Sequence, residues 1–434
     1  MSKLPIMITT DSVCDLPRDL AAQYQIKILP YFVVTDHGRF LDQTEIGGPD
    51  LVDYMRKGNF AKSSRPNVEE YRDFFKENLQ KADRILHIAM GRGSSSGYTN
   101  ASIAAGELEG VKVFDSRHLS SSMGMVAIRA AELARLGLSV DEIVAYLEKY
   151  VHQVSSCFLV NDIEYLYRAK RMPKSVRNLS YRFMFRPIFH MKKGTISLKG
   201  IMFGSWKHVV RKYIAKVLRH ARNADTTRVF VTHVNLNQET LEAIAEEILK
   251  HVSFREIIFI DATAAISCNC GSGTVGVLYA KKMPLPNQSG TVSQTESEAQ
   301  TESEAHTEFA ADTANQADNQ DILQKLDFLD WRSGMLFVAN NVDLYVEILK
   351  EFIHDDREQR LTDFLEAKKW EDYRILVHSL KSASRTIGIE DLSEEARLLE
   401  FACKDGNYEY VEENHGAVME HFRQYCSKIS NVVD

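Results

Sequence analysis

Residues 370–388, WEDYRILVHSLKSASRTIG, decide how the C-terminal part of this sequence is interpreted. Their apolar residues recur at steps of four, three and four, which predicts one buried face of a helix formed by Leu376, Leu380, Ala383 and Ile387. The opposite face carries His378, and its helical neighbours at i−4, i+3, i+4 and i+7 are Arg374, Lys381, Ser382 and Arg385. We therefore expect a histidine that faces water beside three cations and a hydroxyl group. No carboxylate of the same helix stands three or four residues from it.

This pattern favours phosphoryl transfer. A neutral imidazole nitrogen attacks activated phosphoryl groups and can carry them covalently. Fixed cations beside it stabilise the dianionic product and its transition state. The alternative interpretation is a solvated helix face that contains one of the 14 histidines of the chain.

The segment HSLKSASRTIG also resembles the phosphoacceptor signature of histidine-containing phosphotransfer (Hpt) domains, in which the active histidine is followed by Leu, Lys, small residues and Gly. The resemblance extends over 321–430 and includes Asp330, Trp331 and the segment LSEEARLLE. It implies that His378 is the phosphoacceptor and Lys381 the cation that stabilises the phosphate. Ser382 stands where many relatives have Gly.

An Hpt domain implies a partner, either a response-regulator receiver domain or a hybrid histidine kinase. That partner would also supply the Mg²⁺, since we expect no clustered carboxylates on the face around His378. The sequence contains no GxxxxGK[ST] motif for ATP, so the phosphoryl group has to come from another protein. The chain is then a phosphohistidine carrier without a covalent cofactor, rather than a free-standing enzyme.

Composition limits the remaining possibilities. A chain of 434 residues with 44% hydrophobic residues predicts two to four domains with real cores. The net charge of −7 argues against nucleic acid as a main partner. The apolar run at the N-terminus is too short for a signal peptide, and no 18-residue apolar stretch occurs, so we expect a cytoplasmic protein with no transmembrane segment. The 6 cysteines include no CxxC pair, which predicts reduced thiols and no metal site.

Strand and helix patterns alternate in the N-terminal part. Strands are predicted at 6–10, 26–34, 84–90, 111–116, 155–160, 228–234 and 255–261. Helices are predicted at 16–24, 49–58, 67–81, 205–222 and 237–250. A hairpin is predicted over 186–203 with its turn at Lys193 and Gly194. This rhythm indicates an α/β fold of two lobes, with a parallel or mixed sheet covered by helices and a cleft between the lobes.

Two turns rich in Gly and Ser, GRGSSSGYTNA and CGSGTVG, could present N–H groups and hydroxyls to an anion, although ordinary loops without a ligand remain the alternative. Together with TDSVCDLP, KSSRPNVEEY, FDSRHLSSSMG, IEYLYRAKRM and RPIF, they resemble the DegV family over residues 5–282. Members of that family bind a fatty acid and hold its carboxylate between two lobes. The resemblance implies carboxylate-binding positions at Ser63, Ser94, Ser95, Ser96, Arg171 and Asn269.

The sequence departs from the DegV pattern at three places. Ala169 and Lys170 replace a Gly-Gly pair, and Asn269 stands where relatives commonly have His. Ile201 and Phe203 fall near the usual basic pair after the hairpin. In relatives that present fatty acids to a kinase subunit, such His and Arg residues are thought to assist phosphoryl transfer to the acyl group. These departures put that partnership in doubt and leave fatty acid binding as the expectation.

Residues 284–320 differ in composition from the segments on either side of them. They repeat QTESEA twice and contain 7 acidic residues but no Lys or Arg, which predicts a flexible acidic linker. An array of phosphorylation or docking sites is the alternative interpretation of the repeat. After the linker come helical patterns at 321–331, 341–355, 357–368, 370–387, 391–405 and 408–428. Short connections between them predict an all-α four-helix bundle with short extra helices.

The sequence thus predicts a DegV-like lipid-binding domain at 1–283, the linker at 284–320 and an Hpt four-helix bundle at 321–434. The predicted function is phosphotransfer in a two-component phosphorelay, with fatty acid binding as a sensor or localiser. The alternative is a fatty acid carrier whose C-terminal bundle is only a docking module. A hydrolase is a poor alternative, because no GxSxG motif accompanies the Ser-rich turns.

Overall fold

The structure is a computed structural model that describes residues 3–168, 185–219, 221–286, 322–337, 342–354 and 356–433. The chain divides into two compact units. The first holds the described residues up to 286 except 185–187 and 199–205. Those two segments belong to the second unit, together with the C-terminal helices. Residues 287–321, which include nearly all of the predicted linker, lie outside the described residues.

The described residues up to 286 form an α/β structure. Its N-terminal part contains β1 (Leu4–Asp11), α1 (Arg18–Gln23), β2 (Lys27–Leu29), β3 (Phe32–Thr35), β4 (Gly38–Leu41), α2 (Gly48–Arg56), β5 (Ala61–Ser64), α3 (Val68–Leu79), β6 (Ala82–Ala89), α4 (Gly97–Gly106), β7 (Val111–Asp115), α5 (Ser120–Arg135) and α6 (Val140–Tyr150). The chain continues with β8 (Val154–Leu159), α7 (Glu164–Arg168), β9 (Phe185–Lys192), β10 (Thr195–Phe203), α8 (Trp206–Leu218), β11 (Arg228–His233), α9 (Gln238–His251), β12 (Glu256–Asp261), α10 (Ala264–Cys270) and β13 (Val275–Ala280).

These strands form three sheets. The first has the order β2-β1-β6-β7 and is parallel throughout. The second has the order β10-β9-β8-β13-β11-β12 and is mixed, because β11 is parallel to β12 but antiparallel to β13. The third is a small antiparallel sheet of order β4-β3-β5. The predicted α/β fold with parallel and mixed sheets is confirmed.

The predicted strand at 26–34 is wrong as a single element. It is divided into β2 and β3, which belong to different sheets. Pro30 lies between the two strands and has no N–H to donate to a ladder, so the chain changes sheets there. The hairpin of β9 and β10 turns where predicted. Lys193 and Gly194 both have positive φ, 51° and 83°, as a tight two-residue turn requires.

From residue 322 onward the second unit is helical. Its elements are α11 (Trp331–Phe337), α12 (Val342–Ile353), α13 (Arg357–Glu366), α14 (Trp370–Thr386), α15 (Glu390–Lys404) and α16 (Tyr408–Val433). Helix α14 packs against α13 and α15, and α16 packs against α12 and α15. The helix predicted at 321–331 is correct only in part, because residues 322–325 are helical, residues 326–330 are not, and α11 begins at Trp331. No helix in the described part of the chain combines the length and apolar character needed to cross a membrane.

The apolar face predicted for α14 forms part of the core of this unit. Leu380, Ala383 and Ile387 are fully buried and Leu376 is nearly so. Helix α15 contributes Leu392, Ala396 and Leu399, which are also fully buried. The sequence period therefore fixes which face of α14 remains at the surface, and that face carries His378.

The turn between α14 and α15 depends on Gly388. Its φ is +84°, and a Cβ there would lie 2.3 Å from the backbone oxygen of Asp330. The N–H of Asp330 in turn donates to the Gly388 carbonyl at 3.0 Å. A residue without a side chain is required here for both conformation and space.

We predict that Gly388→Ala lowers the thermal midpoint of the helical unit more than Gly406→Ala does. Gly406 also has a positive φ, +74°, but its Cβ would meet nothing within 4 Å. Gly406→Ala should therefore cost only about 1 kcal/mol of conformational strain. Gly388→Ala adds a backbone clash of the kind that costs roughly 1–3 kcal/mol more. Calorimetry of the two full-length variants measures the difference, and equal midpoints would contradict this account of the turn.

Candidate functional site

His378 lies on the surface of α14 in contact with two charged side chains. Its Nδ1 is 2.6 Å from Oε1 of Glu400, on α15. The Nζ of Lys381 is 2.5 Å from the other carboxylate oxygen of Glu400 and 3.4 Å from His378 Nδ1. The His378 side chain is 28% exposed, so one edge of the ring is held by protein while part of it meets solvent.

The position of Glu400 follows from the packing of α15 on α14. Leu392, Ala396 and Leu399 form the buried face of α15. Glu400 stands four residues after Ala396, at the margin of that face, so its carboxylate reaches across to His378. Glu400 is the last residue of the segment LSEEARLLE, but its pairing with His378 was not predicted. An acidic residue beside a core-facing stripe is the signal that could have found it.

The structure corrects the expectation of three cations around the histidine on a face without a carboxylate. Arg374 forms an ion pair with Glu371 on its own helix at 2.5 Å. The guanidinium of Arg385 lies 3.8 Å from Glu390. Of the three predicted cations, Lys381 is the one in contact with the imidazole. The contact with Glu400 was not predicted because it comes from the next helix.

Ser382 is buried rather than presented to solvent. Its hydroxyl donates to the His378 backbone carbonyl at 2.9 Å. This bond holds the serine side chain against its own helix, so it does not project from the surface beside His378.

The charges around Glu400 determine which nitrogen of His378 carries the proton. Burial raises the pKa of the Glu400 carboxyl, but hydrogen bonds from Lys381 and His378 outweigh burial, and its pKa is lowered. An ionised carboxylate only accepts hydrogen bonds, so the 2.6 Å contact requires a proton on Nδ1. In the neutral ring Nε2 then carries the free lone pair. Nε2 has no hydrogen-bond partner among the described residues.

The first unit contains a second candidate site, a cavity of about 370 Å³ lined by strands of the second and third sheets, by α5 and α10, and by the loop after β6. Apolar side chains such as Met90, Phe158 and Leu278 form much of its wall. The structure brings together five of the six predicted carboxylate-binding residues, because Ser63, Ser94, Ser95, Ser96 and Asn269 all line this cavity. Arg171, the sixth, lies outside the described residues, as do Ala169 and Lys170.

The polar residues of the cavity are held in place by specific contacts. Asn269 donates through Nδ2 to the Ser63 hydroxyl at 3.0 Å and to the Ala265 carbonyl at 2.8 Å. Ser95 Oγ accepts from the Gly97 N–H at 3.1 Å, in the first turn of α4. Arg65 also lines the cavity and was not predicted, although it stands in the quoted segment KSSRPNVEEY. The cavity therefore offers hydroxyls, an amide and one cation beside an apolar space.

Helix α10, which carries Asn269, was not predicted. Two buried carboxylates hold its first turn. Asp15 accepts from the Thr263 N–H at 2.9 Å, and Asp42 accepts from the Ala265 N–H at 3.0 Å. Burial raises the pKa of Asp15 to about 7, against the opposing effect of hydrogen bonds from Ser120 and Thr263. Burial likewise raises the pKa of Asp42.

We predict that Asp15→Asn changes how stability depends on pH. Because the pKa of Asp15 in the folded protein lies above the ordinary 3.8, the folded state keeps a proton that the unfolded chain releases between about pH 4 and 7. This contribution to stability is complete below pH 3.8 and is lost as pH rises through 7. Asparagine does not titrate and has no such loss. The free energy of unfolding of the variant should therefore rise relative to that of the wild type, by up to roughly 4 kcal/mol, as pH increases across that range.

Thermal midpoints of the full-length proteins at several pH values measure this gain. Asp141→Asn is the control, because a hydrogen bond from Lys112 lowers the pKa of the exposed Asp141 below 3.8, so its difference from the wild type should stay constant from pH 4 to 7 and change only in more acidic solution. A constant difference between Asp15→Asn and wild type from pH 4 to 7 would contradict the protonated Asp15.

Among the residues that the structure describes, no group of three or more His, Cys, Asp or Glu side chains is arranged to hold a metal ion. None of the 6 cysteines forms a disulfide, and this includes the neighbouring pair Cys268 and Cys270.

Two known families match separate parts of the chain, one in the α/β part and one in the helical part. The model of the DegV family matches residues 5–282. The model of the Hpt domain matches residues 345–431. The first match contains the cavity and the second contains His378, Lys381 and Glu400.

Individual relatives match the N-terminal part. Protein DegV of Bacillus subtilis is 25% identical over 284 residues, which is 64% of this chain and 99% of that protein. A DegV domain-containing protein of Listeria monocytogenes is 27% identical over 285 residues, with 64% and 99% covered. Among solved structures, a DegV family protein from Thermus thermophilus described by its fatty acid binding is 26% identical with a TM-score of 0.59, covering 64% of this chain and 100% of that one. DegV from Bacillus subtilis has 23% identity, a TM-score of 0.56 and the same coverage, and supports the fold.

Proposed function

This chain belongs to the DegV family and carries an Hpt domain after its DegV domain, and we propose that it joins fatty acid binding to phosphotransfer in a two-component phosphorelay. His378 accepts a phosphoryl group from an aspartate of a receiver domain and returns it to another. The DegV domain serves as a sensor or localiser through a bound fatty acid. The observation that carries the proposal is the Glu400 carboxylate bound to Nδ1 of a partly exposed histidine.

The phosphoryl step uses the free nitrogen of His378. Nε2 attacks the phosphorus of the partner's aspartyl phosphate, a bond forms between Nε2 and phosphorus, and the bond to the aspartate oxygen breaks. The aspartate leaves as a carboxylate with the electron pair of that bond. The ring gains positive charge as Nε2 gives up its lone pair, and Glu400 stabilises that charge through Nδ1–H. Return of the phosphoryl group reverses these changes.

Lys381 and Glu400 contribute differently to this step. The Lys381 ammonium stands within 3.4 Å of the ring and is the described cation nearest to the reacting histidine, so it can contact oxygens of the transferred group. Glu400 holds the ring in one tautomer and orientation and is a positioning residue. The partner receiver supplies the Mg²⁺ that neutralises the phosphoryl oxygens. Arg374 and Arg385, engaged with carboxylates of their own, act at longer range.

We predict that radiolabelled phosphate passes from a phosphorylated receiver domain to the wild-type protein and not to His378→Gln. Glu400→Gln should retain the acceptor but react about tenfold more slowly or worse, because an amide can bind Nδ1 in either tautomer. The rate of label transfer under single-turnover conditions measures both effects.

Glu395→Gln provides the matched control. Glu395 lies on the same helix and binds Nδ1 of another histidine, His421, at 3.0 Å, so the variant removes an equivalent contact away from His378. Its transfer rate should equal that of the wild type. Transfer of label to His378→Gln would contradict the relay. Failure of every form of the protein to take up label from any receiver would also contradict it. Either result would favour a fatty acid carrier whose bundle only docks.

The cavity supports the fatty acid half of the proposal. Its volume of about 370 Å³ falls within the range of small-molecule sites. Apolar walls suit an acyl chain, while Ser63, Asn269 and Arg65 suit a carboxylate. The Thermus thermophilus relative is described by its fatty acid binding, and its identity of 26% over the whole DegV domain makes the same ligand class the natural assignment.

We predict that Ser63→Ala weakens binding of palmitate and oleate by about tenfold, the effect of losing one hydrogen bond to a charged group. Ser64→Ala is the control, because Ser64 is the next residue of β5 but does not line the cavity. Titration of delipidated full-length protein measures the affinities, and mass spectrometry of solvent extracts identifies the natural ligand. No fatty acid in the extract together with no binding of either added acid would refute this half.

A further inference from the structure

The first unit has a second concave site that the preceding functions do not use. It is a groove of about 700 Å³ between α5, the start of β11 and the end of β13. Its charged lining consists of Arg129, Arg135, Arg228, Lys282, Glu132 and Asp225. Apolar side chains such as Met125 and Phe230 form another part of its wall. None of the charged residues lines the cavity of the proposed fatty acid site.

Tyr24 holds two of these cations in place. The guanidinium carbons of Arg135 and Arg228 lie 5.2 and 5.4 Å from the centre of its ring. Arg228 also donates to the Tyr24 hydroxyl at 2.7 Å, and Arg135 donates to the Gln23 carbonyl. Neither arginine forms an ion pair with a carboxylate within the described ranges of the chain. Two like charges are thus fixed around one ring, and an anion bound between them would offset their mutual repulsion.

The acidic residues of the groove are already engaged by a third arginine. Arg129 lies 3.3 Å from Glu132 and 3.4 Å from Asp225. The four cations and two carboxylates of the lining leave a net charge of +2. Two buried donors, Nε of Arg129 and Nη1 of Arg228, have no hydrogen-bond partner among the residues that the structure describes. Buried guanidinium N–H groups without a partner are costly unless a ligand meets them.

We propose that this groove binds a phosphate monoester whose ester group is apolar or aromatic. A phosphate monoester carries a charge close to −2 at neutral pH, which balances the net charge of +2 of the groove lining. Its three terminal oxygens accept hydrogen bonds from forked guanidinium groups, and a carboxylate offers only two oxygens and one charge. The apolar wall then contacts the ester group. This inference does not depend on the proposed relay or on fatty acid binding.

The test is calorimetric titration of the full-length protein with phenyl phosphate, phenyl sulfate and inorganic phosphate. We expect saturable 1:1 binding of phenyl phosphate, at least about tenfold tighter than that of phenyl sulfate, which has the same ring and a single negative charge. Inorganic phosphate should bind more weakly because it lacks the apolar group. Absence of saturable binding of phenyl phosphate at millimolar concentration, or equal affinity for the sulfate, would overturn the proposal.

Variants locate the binding. Arg228→Gln should weaken phenyl phosphate about tenfold or more, since it removes one charged donor. If Arg228→Gln lowers the thermal midpoint, its weaker binding could reflect a folding defect. Lys282→Gln then tests the groove instead, because Lys282 is exposed. Arg72→Gln is the control, because Arg72 pairs with Glu107 on the exposed surface of other helices. Undiminished affinity in both groove variants would place the ligand elsewhere and overturn the assignment.

A parallel titration distinguishes a soluble metabolite from a lipid as the source of the phosphate. Dioctanoyl phosphatidate, used below its micelle concentration, carries the same phosphate monoester on a glycerolipid. Affinity above that for phenyl phosphate, and sensitive to Arg228→Gln, assigns the ester to a lipid. Affinity below that for phenyl phosphate assigns it to a soluble compound.

Discussion

The hydrogen bond from Nδ1 of His378 to Glu400 is the interaction on which the proposed phosphotransfer chemistry depends. It converts a partly exposed imidazole into a nucleophile with a defined reactive nitrogen. The same carboxylate binds Lys381, so one anion fixes both the ring and the cation beside it. Without Glu400, the ring would be free to rotate and to exchange tautomers. Phosphoryl transfer would then begin from a mixture of productive and unproductive states.

Both candidate sites are built by residues that a neighbouring element supports. In the helical unit, α15 supplies the group that orients a residue of α14. In the α/β unit, Asn269 of α10 holds the Ser63 hydroxyl of β5, and the buried Asp15 and Asp42 hold the first turn of α10. These supporting groups are buried or partly buried, so their geometry is fixed before a ligand or partner arrives. The reactive side chains themselves remain open to solvent or to a cavity.

Local pattern predicted much of this structure, and contacts between distant segments account for what it missed. The apolar stripe of α14 and the turn at Lys193 and Gly194 follow from neighbouring residues alone, and both are confirmed. Glu400 lies 22 positions from His378 on another helix, and helical spacing carries no information about such a pair. Helix α10 depends on a contact between Thr263 and Asp15, 248 positions apart, which no local period reveals. The assignment of Ser63 and the Ser-rich turn to one cavity came from family resemblance rather than from spacing.

Nitrogen-15 NMR of the full-length protein with labelled histidine tests the central claim most directly. At a pH where His378 is neutral, two-bond couplings identify which ring nitrogen carries the proton, and His378→Gln assigns the signals. The account predicts that Nδ1 of His378 is protonated and that Nε2 has the shift of an unprotonated nitrogen. It also predicts that Glu400→Gln produces a mixture of the two tautomers. A proton on Nε2 in the wild-type protein would contradict the account.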